Sequence, residues 1–545
     1  MNKIKTIIRA VALIAVVSAS TGCLDNFEDY NRNPNEATDD ELERDNYLVG
    51  SKLTKLQNMV IPSEEHLYQF VEALEGGSYG GYVEATVDSW ETKFSTFNPT
   101  ADWLKAPFVD VITETYPAYR GIINKTDDEV AVALANVLRV AIMNRLADAY
   151  GSIPYSKIVE DKKERLTVPY DTQQEAYTQM FKELDTALEA LERNRDLSTE
   201  AFGEYDQVYN GDLKKWIKYA NSLKLRMAMR LSYIDEQTAK AKAAEAIADG
   251  VITENADNAK LQPELNRTTL LWNSWQDHAI GADILCYMNG YKDPRRAKMF
   301  TQGTVGEGDA AEKGYYGLRI GTTPANKSKA VTACSSMLIT DTDPILWMNA
   351  AEIAFLRSEY ELRWGSAVSA QNFYEQGIRL SFEERGVAGA EDYIADEANV
   401  PEAYTDPLGV IENNTALPQS RITIKWKEDA QFEENLERII TQKWIAIFPL
   451  GNEAWAEYRR TGYPKLMPAK DNKSGGTVNS KYGMRRLPYP SEEYSENRTN
   501  VEAAITSLFR RRRAGSHRGC SDPCSQGSRR GSVQSSPRRP WRKRR

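Results

Sequence analysis

DPILWMNAAEIAFLRSEYELRWG (343–365) is followed directly by SAVSAQNFYEQGIRLSFEERG (366–386). Small residues recur in both halves, Ala350, Ala351 and Ala354 in the first and Ala367 and Ala370 in the second. Phe355, Phe373 and Tyr374 follow at helical spacing. Small side chains let two helix backbones approach, and the rings fill the space between them. The stretch is therefore predicted to be two helices of similar length, turning at Gly365.

The same theme recurs along the chain. TQQEAYTQMFKELDTALEALERN (172–194) sets Tyr177, Met180, Phe181, Leu184, Leu188 and Leu191 on one face. DLKKWIKYANSLKLRMAMRLSYID (212–235) does so with Leu213, Trp216, Ala220, Leu223 and Met227, and Asp212 suits its N-cap. An Ala- and Lys-rich helix follows and stops at Gly250. Residues 127–150 pair with 172–194, and Glu434–Arg460 form a last long helical region. The expected fold is mostly α, built of degenerate tetratricopeptide-like hairpins stacked into a curved scaffold. Long irregular stretches at 76–117, 252–343 and 387–432 are rich in Gly, Pro, Asn and aromatics. Loops of that length usually carry function, so they are expected to form a binding face.

The N-terminus has Lys3, Lys5 and Arg9, an apolar run Ala10–Val17, and small residues Ser18–Gly22. That order is a secretory signal's, and the run is shorter than the roughly 20 residues that span a bilayer. Thr-Gly-Cys ahead of an acidic stretch resembles a bacterial lipoprotein box. On this reading 1–22 are signal peptide, Cys23 is lipidated, and 23–45 are a solvated tether. Asp25, Glu28 and Asp29 resemble the acidic signal that accompanies export to the outer face in one Gram-negative group. Residues 46–508 read as one domain, with no second apolar segment able to cross a membrane.

The 545 residues are 41% hydrophobic and 27% charged, enough for a large core. The net charge of −9 hides two regimes, because 509–545 carry 13 Arg and Lys against one Asp and the remainder is strongly acidic. An acidic body argues against nucleic acid. The basic tail of Arg, Ser, Gly and Pro cannot bury a core and is expected to be disordered. A basic arm for an anionic surface is one reading of it. A shifted reading frame after Leu508 accounts better for its abrupt composition. Cys286 and Cys334 remain in the body, either bonded or free, and their apolar settings favour buried free thiols.

Several blocks in order carry a resemblance. They are RLADAYGSIPYSKIVE (145–160), Tyr170-Asp171, YNGD (209–212), Trp216 followed by NSLKLR (221–226), DPRRAKMF (293–300), YEQGIRLSF (374–382), NEAWAEYRRTGYP (452–464) and RRLPYPSEEYSENRTN (485–500). Together they resemble the SusD/RagB-like family of outer-membrane nutrient-binding lipoproteins, from Cys23 to about Ser507. The resemblance implies a helical fold with tetratricopeptide-like hairpins and a lipid anchor in the outer membrane, facing outward. It implies a SusC-like TonB-dependent transporter as partner, with this protein as its lid. It implies a glycan as the usual cargo and a peptide in some members.

Trp216 reads as core, Asn221 and Arg226 as satisfying local polar groups, and Asp171 and Asp212 as helix caps. Catalytic motifs are missing. There is no GxSxG beside His66 or His278, no HExxH, no phosphate loop and no calcium loop. GEGDAA (306–311) lacks a preceding apolar strand and reads as a turn. No cofactor, metal or catalytic residue is expected, although the 78 acidic residues leave a glycoside hydrolase as a rival. Binding a sugar needs aromatic rings for its C–H faces and amides or carboxylates for its hydroxyls. Two loop clusters supply them: Trp90, Phe97 and Trp103 in 79–103, and Trp272, Asn273, Trp275 and Gln276 in 269–278. These seven are the expected ligand-binding residues, with Gly76, Gly77, Gly80 and Gly81 allowing close backbone turns.

Overall fold

The computed structural model describes residues 47–197, 203–415 and 420–515. Cys23, the signal peptide, the tether and the tail beyond 515 lie outside the described residues. The main helices are α1 Tyr47–Val60, α2 Glu65–Tyr68, α3 Val111–Ile123, α4 Glu129–Tyr150, α5 Gln173–Arg193, α6 Leu213–Arg230, α7 Glu236–Asp249, α8 Ala350–Trp364, α9 Ala367–Glu384, α10 Phe432–Ala446 and α11 Gly451–Thr461. α2 runs unbroken into a wider, π-wound helix, Gln69–Gly77. The strands are short: β1 Val83–Ala85, β2 Ala259–Leu261, β3 His278–Ile280, β4 Gly303–Val305, β5 Glu312–Gly314 and β6 Ile345–Met348. They pair as three two-stranded antiparallel ribbons, β1 with β3, β2 with β6 and β4 with β5.

α4 packs on α5, α6 on α7 and α8 on α9; α5 and α8 both meet α6, so the hairpins stack in chain order. α5 shows why. Thr172 and Glu175 close a reciprocal capping box at its start. Its six predicted core residues, Tyr177 to Leu191, are all buried. Each such side chain contributes about 1.5–3 kcal/mol when removed from water. Truncating the fully buried Leu184 to Ala would cost roughly 2–5 kcal/mol. Asp212 caps α6 by accepting from the amides of Lys214 and Lys215, and α7 stops where Gly250 takes φ +100°.

Charge as well as apolar surface holds the hairpins to the C-terminal helices. Arg226 and Arg230 on α6, Glu352 and Glu359 on α8, Lys443 on α10, and Glu453, Glu457 and Arg460 on α11 form one buried network of ion pairs. A buried charge is tolerated only when it is paired, so each member fixes the position of the next. Arg226 was expected to serve local groups; instead its Nε donates to Glu352 Oε1 at 2.8 Å.

Other expectations change. Residues 345–348 are strand β6, and Asn349 caps α8 by accepting from the Glu352 amide at 2.9 Å. The region 434–460 is two helices, because Pro449 has no amide proton to continue the first. The irregular stretch from 76 ends near residue 100, where helix Ala101–Lys105 leads into α3. Thr172, not Asp171, caps α5; Asp171 accepts from the amides of Tyr155 and Ser156. α4 is long and apolar enough to cross a membrane, which the sequence reading did not register, but it lies buried between α1 and α5 as a core helix. The helix Arg498–Gly515 continues past Leu508, so the first residues of the tail, expected to be disordered, are helical. GEGDAA is the turn of the β4–β5 hairpin, and Cys286 and Cys334 are free thiols.

Candidate functional site

The β1–β3 ribbon organises the site. Ala85 faces His278 in the antiparallel register, so the chain leaving β1 and the chain entering β3 emerge at the same end. The Thr86 amide donates to Asp277 O at 2.9 Å, and its hydroxyl to Gln276 O at 2.6 Å. The two aromatic loops, nearly two hundred residues apart in sequence, are thereby brought side by side.

A third segment joins them. His66 on α2 stacks on Trp275, centroids 4.9 Å apart and planes at 25°. Phe70, one turn later, lies 5.3 Å from Trp103. Trp103 meets Trp90 edge to face at 5.1 Å. Residues four apart on a helix are neighbours, so Trp275, His66, Phe70, Trp103 and Trp90 form one aromatic strip. His66 is exposed and the other four are half-buried, so the strip presents ring surface to solvent. His66 and Phe70 escaped the sequence reading; their signal is the four-residue spacing in HLYQF (66–70).

Ion pairs fix the loops from behind. Glu84 on β1 receives Lys93 Nζ at 2.8 Å, the Ser95 hydroxyl at 3.0 Å and the Gly321 amide at 2.5 Å. Lys93 Nζ also donates to Thr322 O at 2.6 Å, with both charged side chains almost wholly buried. Lys327 bridges the two loops. Its amide donates to Asp88 at 3.2 Å, and its Nζ to Trp275 O at 2.9 Å and to the Asp277 carboxylate. Glu64, Glu65 and His66 bring candidate ligand atoms within 4.8 Å of one another. Both carboxylates are already engaged, since Glu64 accepts the Leu67 amide and Arg267 grips Glu65 in an ion pair. That guanidinium holds the Glu65 carboxyl below its ordinary range.

The seven expected residues divide. Trp90, Trp103 and Trp275 lie in the strip. Gln276 is exposed beside it, at φ +54°. Asn273 is exposed but gives its amide to Ile339 O at 3.1 Å. Phe97 and Trp272 do not face solvent. Phe97 stacks on Tyr79 at 6.0 Å, and Trp272 is buried against His278 at 5.6 Å. Burial pushes the His278 imidazole down to about 4, so at neutral pH it is an uncharged core ring. Gly76 and Gly77 serve helix packing rather than turns, as the close approach to α11 shows: a Cβ on Gly76 would lie 2.4 Å from the Asn452 amide nitrogen.

The family model for SusD-like proteins, described as SusD and RagB outer membrane lipoproteins, matches residues 29–517. The chain belongs to the SusD-like family. Among solved structures, a SusD homologue from Bacteroides thetaiotaomicron is 49% identical to this SusD-like protein, with a TM-score of 0.80 over 85% of this chain and 95% of the other. One from Bacteroides uniformis is 44% identical, with a TM-score of 0.79 over 85% and 96%. A chitin-binding SusD homologue from Flavobacterium johnsoniae is 35% identical, with a TM-score of 0.78 over 84% and 96%. No curated protein sequence matches the chain. SusD-like proteins are typically glycan-binding helical proteins of the tetratricopeptide type, as the stacked hairpins here are.

Proposed function

We infer that this SusD-like protein captures a glycan on the strip Trp275–His66–Phe70–Trp103–Trp90 and delivers it to a SusC-like TonB-dependent transporter. It does so as an outer-membrane lipoprotein anchored through Cys23 and facing outward. The observation that carries the reading is the strip itself, in which helix α2 joins two distant loops into one half-exposed aromatic surface. Sugar C–H faces stack on such rings, and a shallow platform suits a long chain better than a closed pocket. Gln276, exposed beside Trp275, offers an amide for sugar hydroxyls on this reading. The chitin-binding relative supports a glycan as the ligand class. Three carboxylates around the strip, Glu65, Glu84 and Asp277, are each held by a cation, which favours binding over hydrolysis at those groups. A glycosidase needs a free carboxyl pair set to donate and accept protons.

The test is retardation of the unlipidated chain, from Leu24 onward, in native gels containing glycol chitin, starch, xylan or pectin, with reducing ends assayed in parallel. Retardation by one or two of these without new reducing ends is expected. New reducing ends would make the protein an enzyme. No retardation by any polysaccharide would turn the reading to peptide cargo.

A further inference from the structure

A cleft of about 710 Å³ opens beside the strip, between the β4–β5 hairpin, helix Lys327–Ala333 and the segment around Leu408. Lys327 ties its wall to the strip. Asn326 and Ser328 line the cleft, and Lys327 between them donates to Trp275 O and to Asp277. A second tie is Lys93, which joins Glu84 of the ribbon to Thr322 of the same wall.

The lining has a chemistry of its own. No aromatic ring among the described residues contributes to it. Thr322, Thr323 and Ser328 supply hydroxyls, while Pro324, Leu408 and Val410 supply aliphatic surface. Thr322 is 5% exposed, yet its hydroxyl has no hydrogen-bond partner, and neither has the buried hydroxyl of Thr323. A buried hydroxyl without a partner is costly, by about 1–3 kcal/mol, and two side by side in this cleft's wall would gain one by turning toward a ligand's polar groups. A hydroxyl both donates and accepts, which matches a sugar hydroxyl. The charged lining, Lys329 and Lys470 against Glu307 and Asp471, is balanced, which suits a neutral ligand.

We propose that this cleft is a second carbohydrate subsite, which takes a neutral stretch of the same glycan chain whose other residues stack on the strip. This rests on the glycan reading above. The cleft holds its sugars by hydroxyl–hydroxyl bonds and aliphatic contact, and so selects for chain length rather than for the presence of a sugar.

The test compares short and long oligosaccharides of chitin, starch and xylan on the wild-type chain and on three variants, by calorimetry. Thr322→Val removes the unpartnered hydroxyl at nearly constant shape. Ser328→Leu, at an exposed position, narrows the cleft from its rim and serves if the first variant folds poorly. Trp275→Ala removes a ring of the strip. Expected is a tenfold or greater loss for the long oligosaccharide with either cleft variant, no change for the short one, and loss of both with Trp275→Ala. Unchanged long-chain affinity in both cleft variants, with Trp275→Ala still impaired, overturns the cleft proposal and leaves the glycan reading standing. Absence of binding by the wild-type chain to every oligosaccharide overturns both.

Discussion

Lys93 and Glu84 meet at 2.8 Å with side chains only 1% and 0% exposed, so the loop carrying Trp90 is fastened to its ribbon by a buried ion pair. Removing one partner strands the other charge away from water. Lys93→Met is therefore expected to lower stability by about 3–5 kcal/mol, read from urea denaturation. A loss under about 1 kcal/mol would show that the pair does not fasten the loop.

The tryptophans are expected to separate by exposure. Trp275→Ala and Trp103→Ala should each weaken glycan binding by about 30-fold or more, as central aromatic anchors do. Trp272→Ala should instead cost roughly 3–5 kcal/mol of stability, because that ring is buried. Binding isotherms and thermal melts on the same samples decide it. Equal loss of affinity from all three at unchanged stability would refute the division.

Two buried groups titrate with opposite consequences. His278 has its pKa pushed down to about 4, first by burial and further by Lys327, while Asp277 acts against the shift. Unfolded, it would titrate near 6.5, so its share of stability, on the order of 3 kcal/mol, is present above pH 6.5 and is lost as pH falls toward 4. Asp283 is pushed up to about 7 by burial, against the Met467 amide and Arg319. Its folded state holds a proton that the unfolded state releases near 3.8, so its contribution is present at low pH and is lost as pH rises through 7. Asp283→Asn keeps an acceptor for the Met467 amide and should remove that loss. The variant should then be more stable than wild type at pH 8 and close to it at pH 4, measured by denaturant titration. An identical pH profile for the two chains would contradict the assignment.

Gly76 sits where a Cβ would strike the backbone of Asn452. Backbone cannot step aside as a side chain can, so Gly76→Ala should cost about 1–3 kcal/mol and shift the helix that bears Phe70. A variant with wild-type stability and full affinity would show that the contact is slack.

The scaffold was legible because it is written at short range. The buried face of α5, the Asp212 cap of α6, the stop at Gly250 and the α8–α9 corner all follow from neighbours within a turn or two. Where a local signal was outweighed, the reading slipped. Apolar 345–348 looks like the start of a helix but pairs with β2, and the helix pattern of 434–460 hides the break at Pro449. The loops were legible as sites but not as surfaces. Trp272 and Trp275 are three residues apart with the same chemistry, and only the long-range ribbon with β1 decides that one is buried and the other stacks on His66. His66 and Phe70 escaped the reading because their partners lie far away in sequence.

The helix that carries His66 and Phe70 ends at Gly76 and Gly77 against α11, which begins at Gly451. The rings of the strip all come from residues before 276, yet the seat beneath them is among the last parts of the domain to be made. Contacts of such separation form late, after the hairpins that depend on neighbours. A nascent chain halted before Gly451 would thus lack the backbone on which the helix bearing His66 and Phe70 is seated.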